Sequence, residues 1–112
     1  MALIYEKMSQ TDMLVIASPV YFYSISAQLK AVIDRFHKPL RDSFHIKKMA
    51  LLLVGAASLP ELFDAILTEY NLCLKFFNIE DAGKVLVRGV KEKGDINNTD
   101  ALNEAYTLGF SI

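Results

Sequence analysis

The 112-residue sequence contains one cysteine, Cys73, no tryptophan, five glycines and three prolines. One thiol excludes an internal disulfide framework and cannot supply the about four thiolates that an iron–sulfur cluster needs. A lone cysteine also fits a reducing compartment, so we expect a cytoplasmic location. Cys73 lies beside Leu74 on an apolar helical stripe. We therefore expect Cys73 to pack in the core rather than to carry redox chemistry.

The sequence also lacks a large net charge and a long apolar run. The net charge is −1, with no basic excess that would indicate a nucleic-acid partner. No apolar run approaches the about 20 residues that span a bilayer, so no membrane partner is expected. The phosphate-binding motif G-x-x-x-x-G-K-[ST] and the nucleophile motif G-x-S-x-G are both absent. His37 and His45, with Asp42 between them, lack a further ligand on a rigid element. We expect solvated histidines and no metal site.

Short apolar runs alternate with stretches of helical period. The runs DMLVIA (12–17), MALLLVGA (49–56) and the more mixed KVLVRGV (84–90) predict three strands, the first two covered on both faces and the third nearer an edge. Apolar residues at helical spacing predict four helices. Residues 2–9 form the end of the first helix, and the second follows an N-cap at Ser24 or Ser26. The third begins at Ser58 and Pro60, and the last follows Asn98 and Thr99. This order predicts an α/β fold with a parallel sheet.

Ordinary packing or solvation can explain several individual side chains on these helices. Tyr5, Tyr70 and Tyr106 fall near apolar stripes, so core or interface packing accounts for them. In the last helix, the residues expected to face inward are Leu102, Ala105, Tyr106 and Leu108. Lys30 and Asp34 have the spacing of a surface ion pair, although a subunit contact or a plain solvated face would also explain them.

The junction SPVYFYS (18–24) follows the first strand directly and is rich in aromatic residues. In open parallel sheets, ligands bind outside the carboxyl ends of the strands. One interpretation is a platform for a flat heteroaromatic ligand. The other is a hydrophobic loop that covers the end of the sheet. The residues alone favour neither.

The segment SPVYFYSISAQLKAVIDRF (18–36) resembles the S-P-V-Y-F-x-x-x-S-A-Q-L-K-x-x-I-D-R segment of the NAD(P)H-dependent FMN reductase family, which includes multimeric flavodoxins and iron–sulfur flavoproteins. The resemblance continues through 49–56 and through DAGKVLVRGVKEKGDI (81–96). It implies a flavodoxin-like three-layer α/β/α fold with strand order 2-1-3-4-5. Residues 1–112 would be a single partial domain with the third to fifth strands, lacking the first two.

The resemblance also implies the position of the cofactor. It places the flavin ring against two loops. The first loop contributes Ser18, Pro19, Val20, Tyr21, Phe22 and Ser24. The second loop, which matches the family sequence less closely, contributes Gly55 and Ala56. Tyr23 stands where relatives often have glycine. No catalytic side chain is implied, because FMN carries the reactive atom and the protein supplies orientation.

The phosphate-binding loop of the relatives has no counterpart in this sequence. Losing about four charge-assisted hydrogen bonds removes about 6–12 kcal/mol, so we expect FMN binding to be weak or absent in this chain alone. The helical start favours a shortened product of a longer gene, although another chain could supply the missing half, or flavin binding could be lost.

Two functions follow from the resemblance. The first is electron transfer from NAD(P)H through FMN to a small-molecule acceptor, enzymatic only if the phosphate-binding half is supplied. The alternative is a flavin-free module for oligomerisation or interaction. In either case an unpaired apolar strand favours association. We therefore expect a homo-oligomer through the exposed strand 12–17 and adjacent helices.

Overall fold

The computed structural model describes residues 2–36 and 45–112. Its helices and strands alternate in the predicted order. They are α1 (Ala2–Ser9), β1 (Met13–Pro19), α2 (Ala27–Ile33), β2 (Lys48–Val54), α3 (Asp64–Phe77), β3 (Glu80–Val87), a short 3-10 helix (Asp95–Asn98) and α4 (Ala101–Ser111). The α/β class is confirmed.

The described strands form one parallel sheet in the order β1-β2-β3, with β2 in the centre. Helices α1, α2 and α3 pack on one face, where Ile16, Leu51 and Phe63 belong to the main core. Helix α4 packs on the other face, where Ala101 contacts Val85 and Val87. The result is the predicted three-layer α/β/α arrangement, and it brings the three strand ends together at one edge.

Strand β1 departs from the expectation that both of its faces are covered. It lies at an edge of the sheet, and the side chain of Val15 is 50% exposed. Continuous apolar sequence predicts a buried strand, but the described helix on the Val15 face, α4, packs over β2 and β3. β3 is the other edge strand, as predicted.

Several predicted boundaries and orientations were wrong. Helix α3 begins at Asp64, not at Ser58 or Pro60, because the preceding residues form turns in which Asp64 N–H donates to Glu61 O at 3.1 Å. Strand β3 runs from Glu80 to Val87, so it begins four residues earlier and ends three residues earlier than the run 84–90 indicated. In α4, Leu102 and Tyr106 are exposed, whereas Ala105 and Leu108 pack against the sheet as expected.

Other local predictions are confirmed. Ser26 is the N-cap of α2, and its hydroxyl accepts from Leu29 N–H at 3.2 Å. Lys30 and Asp34 form the surface ion pair, which raises the pKa of Lys30 mainly through its hydrogen bond to Asp34. Tyr70 is buried.

No helix among the described residues is long and apolar enough to cross a membrane.

Candidate cofactor site

The loops that follow the three strands are joined to one another by backbone hydrogen bonds. Val20 N–H donates to Val54 O at 2.8 Å, and Gly55 N–H donates to Val87 O at 2.8 Å. Val90 N–H then donates back to Gly55 O at 3.1 Å. The two loops that hold the predicted site residues (Ser18, Pro19, Val20, Tyr21, Phe22 and Ser24 in the first, Gly55 and Ala56 in the second) therefore lie side by side at the carboxyl edge of the sheet.

The first loop makes a tight two-residue turn. Tyr21 N–H donates to Ser24 O at 2.9 Å, and Ser24 N–H donates to Tyr21 O at 3.1 Å. The two residues between them, Phe22 and Tyr23, have φ angles of 53° and 67°. Such turns normally use Asn-Gly, because a left-handed backbone costs other residues about 1–2 kcal/mol each. Two bulky aromatic residues therefore occupy strained positions.

The aromatic side chains of this turn point away from the core. Tyr21, Phe22 and Tyr23 are 63%, 96% and 45% exposed. The rings of Phe22 and Tyr23 meet edge to face, with centroids 6.1 Å apart. Strained backbone that presents apolar rings to solvent is typical of a ligand-binding segment rather than of a loop that only covers a sheet.

Ser18 has a different environment from its neighbours in the loop. It is 4% exposed, its Oγ donates to Pro19 O at 2.7 Å, and the same oxygen accepts from Ser26 N–H at 3.0 Å. Its hydroxyl thus ties the end of β1 to the cap of α2. This bond fixes where the aromatic turn begins and where the helix starts, so Ser18 positions the loop.

The second loop requires glycine at its first position. A Cβ on Gly55 would lie 2.5 Å from Leu62 Cδ2 and 3.6 Å from Val20 Cβ. Leu62 is buried, so it has little room to move aside. Ala56, the next residue, is exposed. Gly55 therefore lets the second loop approach Val20 closely, and Ala56 lies at its surface.

Arg88 was not predicted as a residue of this edge. Its Nε donates to Leu59 O at 2.9 Å and its Nη2 donates to Pro60 O at 2.9 Å. The guanidinium also lies over the Phe63 ring, 4.6 Å from the centroid. The only signal in the sequence is one arginine within the apolar run 84–90, and in the structure Arg88 comes directly after the end of β3. Arg88 holds the segment that follows the second loop.

Two other candidate groups lie away from this edge. Cys73 is half-buried between α2 and α3, where burial raises the pKa of its thiol. His45 is exposed, while His37 and Asp42 lie outside the described residues. The described residues contain no group of three or more His, Cys, Asp or Glu side chains that could hold a metal ion.

The residues at this edge fit one part of FMN better than the other. The exposed rings of Tyr21 and Phe22 follow Val20, which lies close to Gly55, and they offer the apolar surface that an isoalloxazine ring requires. A phosphate needs several backbone amides at a helix N-terminus. In the described part of the chain, the helix nearest the loop, α2, already has its N-terminus capped by Ser26. The site therefore fits the ring but lacks a described cradle for the phosphate.

A family model for the NADPH-dependent FMN reductases matches residues 1–65, which include the whole aromatic loop and Gly55. An iron–sulfur flavoprotein of Methanocaldococcus jannaschii is 46% identical over 56 residues, which are 48% of this chain and 28% of that protein. The chain thus spans less than a third of that relative's length.

Solved structures share the fold along nearly the whole chain. The Trp repressor binding protein of Bacillus subtilis has a TM-score of 0.83 at 24% identity, over 96% of this chain and 74% of its own. General stress protein 14 of Treponema denticola, solved in complex with FMN, has a TM-score of 0.73 at 16% identity, over 99% of this chain and 72% of its own. An NADPH-quinone reductase of P. pentosaceus has a TM-score of 0.68 at 13% identity, over 98% of this chain and 70% of its own.

These likenesses show a flavodoxin-like fold, and the family match includes the residues that build the aromatic loop. The chain belongs to the NADPH-dependent FMN reductase family.

Proposed function

We propose that this chain is a flavoprotein of the FMN reductase type that takes part in electron transfer from NAD(P)H through FMN to a small-molecule acceptor. The observation that carries the proposal is the strained turn at Phe22 and Tyr23, which exposes the side chains of Tyr21, Phe22 and Tyr23 in the loop that follows β1. Family membership and the FMN complex of one structural neighbour support the same cofactor. They do not favour the flavin-free alternative.

The residues of this edge would hold and orient the cofactor. Tyr21 and Phe22 would contact the ring, while Val20 and the backbone at Gly55 and Ala56 would border it. The chemistry supplied by bound FMN is acceptance of a hydride from NAD(P)H and release of electrons to an acceptor. The protein's own contribution is to position the ring and exclude water from one side of it, so no side chain needs to transfer a proton.

The ring and phosphate contacts can be separated with two ligands. We would titrate the purified chain with FMN and with riboflavin, which lacks the phosphate, and follow quenching of flavin fluorescence. Because the described residues fit the ring only, the two dissociation constants should agree within about threefold, a difference of less than 1 kcal/mol. A strong preference for FMN would contradict this and indicate a phosphate site elsewhere in the chain.

A matched pair of variants tests the position of the site. Phe22→Ala removes a 96% exposed ring from the turn, and Phe110→Ala removes an 85% exposed ring from α4. Loss of one aromatic contact should weaken riboflavin binding by about 2–10-fold for Phe22→Ala. Phe110→Ala should leave binding unchanged. Equal effects from both variants, or none from Phe22→Ala, would exclude this loop as the flavin site.

A further inference from the structure

The side of β1 that faces away from β2 carries backbone groups that no other described strand pairs with. Asp12 O accepts from Lys47 N–H at 2.9 Å and Val20 N–H donates to Val54 O at 2.8 Å, so the even-numbered residues direct their backbone groups toward β2. Because neighbouring residues of a strand alternate, Met13, Val15 and Ala17 direct theirs to the opposite side. No described strand pairs there.

These open groups are arranged symmetrically. The available N–H groups belong to Met13, Val15 and Ala17, which are centred on Val15. The next residue in the series, Pro19, has no N–H to offer. If two copies pair antiparallel with Val15 opposite Val15, Met13 of each copy lies opposite Ala17 of the other. Each opposed pair exchanges two bonds, about six in total, and Pro19 falls outside the paired region.

The side chains along this edge, like the backbone groups, are suited to pairing with another strand. The strand MLVIASP contains no charged residue, and Val15 is 50% exposed. On the other face, an open apolar groove of about 560 Å³ follows β1 and is bordered by Leu3, which is 67% exposed. At one hydrogen bond per about 100–200 Å², six bonds correspond to an interface of about 600–1,200 Å², at the low end of specific complexes.

We propose that the open edge of β1 binds a second copy of this chain, antiparallel, with the two-fold axis at Val15, so that two three-stranded sheets become one sheet of six strands. The pairing uses every open N–H of the strand and places its exposed apolar side chains against an identical row. An isologous contact of this kind requires a self-complementary surface, which β1 supplies. The proposal does not depend on flavin binding.

Chemical cross-linking tests the register. In a Cys73→Ala background, Val15→Cys places two thiols on opposed residues whose Cα atoms are about 5.5 Å apart. A short bismaleimide should therefore link most of the Val15→Cys chain into a covalent dimer. Met13→Cys alone and Ala17→Cys alone place their thiols about 13 Å apart along the strands and should link poorly. A mixture of these two variants should link efficiently, because Met13 then lies opposite Ala17.

A charge substitution tests the energetics on the same protein. Val15→Lys places two like charges together at the axis and should raise the dimer dissociation constant by about 100-fold or more, measured by sedimentation. Ala31→Lys, which adds the same charge at an exposed position of α2, should not change it.

Three outcomes would overturn the proposal. The first is an unmodified chain that folds cooperatively and sediments as a monomer. The second is efficient linking of Met13→Cys with itself. The third is a Val15→Lys chain that remains dimeric. If Val15→Lys does not fold, the cross-linking pattern still decides.

Discussion

The sheet has two edge strands, and only β3 carries the features that keep an edge from pairing with another chain. β3 has exposed Glu80, Asp81 and Lys84, and its register with β2 shifts between Met49 and Ala50. β1 has no charge and an unbroken register along its seven residues. Natural edges are protected by charges, bulges and proline, and β1 has only the proline at its end. The difference shows that β3 is protected against pairing with another chain and that β1, at the edge of the described sheet, is not.

The largest change in stability should come from substituting Gly83, which lies at the register shift in β3. Gly83 has a φ of 144°, and an added Cβ would lie 2.5 Å from Leu108 Cδ1. Gly83→Ala should therefore lower the free energy of unfolding by about 2–4 kcal/mol, through backbone strain and displacement of Leu108. Chemical denaturation measures this change.

Gly109→Ala is the matched control for that experiment. Gly109 lies within α4, and nothing lies within 4 Å of an added Cβ. Alanine should stabilise this helix by up to about 1 kcal/mol, because glycine is the poorer helix former. A Gly83→Ala chain as stable as the unmodified one would show that the β3 irregularity is not fixed by its glycine.

The next largest change in stability concerns the hydrogen bonds that hold β2 and β3 to α3. Tyr70 Oη lies 2.9 Å from Met49 O and 3.0 Å from Asp81 Oδ1, and burial raises the pKa of the phenol well above its ordinary value. Tyr70→Phe should cost about 1–2 kcal/mol of unfolding free energy, because the buried Met49 carbonyl and the partly exposed Asp81 carboxylate lose their donor. Tyr106→Phe, at a 75% exposed side chain, should cost nothing measurable.

A smaller effect is expected from the charge at the start of β3. Burial alone would raise the pKa of Asp81, but hydrogen bonds from Lys84, Gly83 N–H and Tyr70 together lower it. The folded state thus favours the carboxylate, so its stabilisation is complete above the ordinary value of 3.8 and is lost as the pH falls through the lowered pKa.

Asp81→Asn tests this linkage. The variant should be less stable by about 1 kcal/mol near neutral pH, a modest value because the site is partly exposed. The deficit should shrink as the pH falls below about 4. Unfolding curves at several pH values would measure it. A deficit that stays constant into acid would show that Asp81 acts through packing rather than through its charge.

The smallest effect concerns the turn at the end of β1. Tyr23→Gly should relieve a φ of 67° and stabilise the chain by about 0.5–1 kcal/mol, after the entropic cost of glycine. Tyr21→Gly, in the same turn but without a positive φ, should instead destabilise by about 0.5–1 kcal/mol. Thermal melting compares the two. If Tyr23→Gly also weakens flavin binding, the strain is part of the cofactor site.

The sequence predicted the aromatic loop well because its signals are local. Pro19 ends the strand, and Ser26 caps the helix that follows, so the segment between them could be placed at the carboxyl edge without other information. The contact between this loop and Gly55 could be predicted only through the family resemblance, because it joins residues more than thirty positions apart.

Exposure was harder to predict than element type. The run MLVIA indicates a strand but does not say whether one face or both are covered, since that depends on how many strands and helices surround it. The stripe of α4 contains Leu102 and Tyr106, yet both are exposed because the helix leans over β2 and β3 only. Arg88 gave no signal that it would bind the carbonyls of Leu59 and Pro60.

The sequence by itself determined the order of the elements, restricted the cap of α2 to Ser24 or Ser26, and placed the aromatic loop directly after the first strand. These depend on hydrogen bonds and steric preferences between residues close together in the chain. Only the tertiary structure decided that β1 is an open edge, that Ser18 is used internally and that Val15, Leu102 and Tyr106 face outward. Burial and pairing depend on residues far apart in sequence, so no local pattern could determine them.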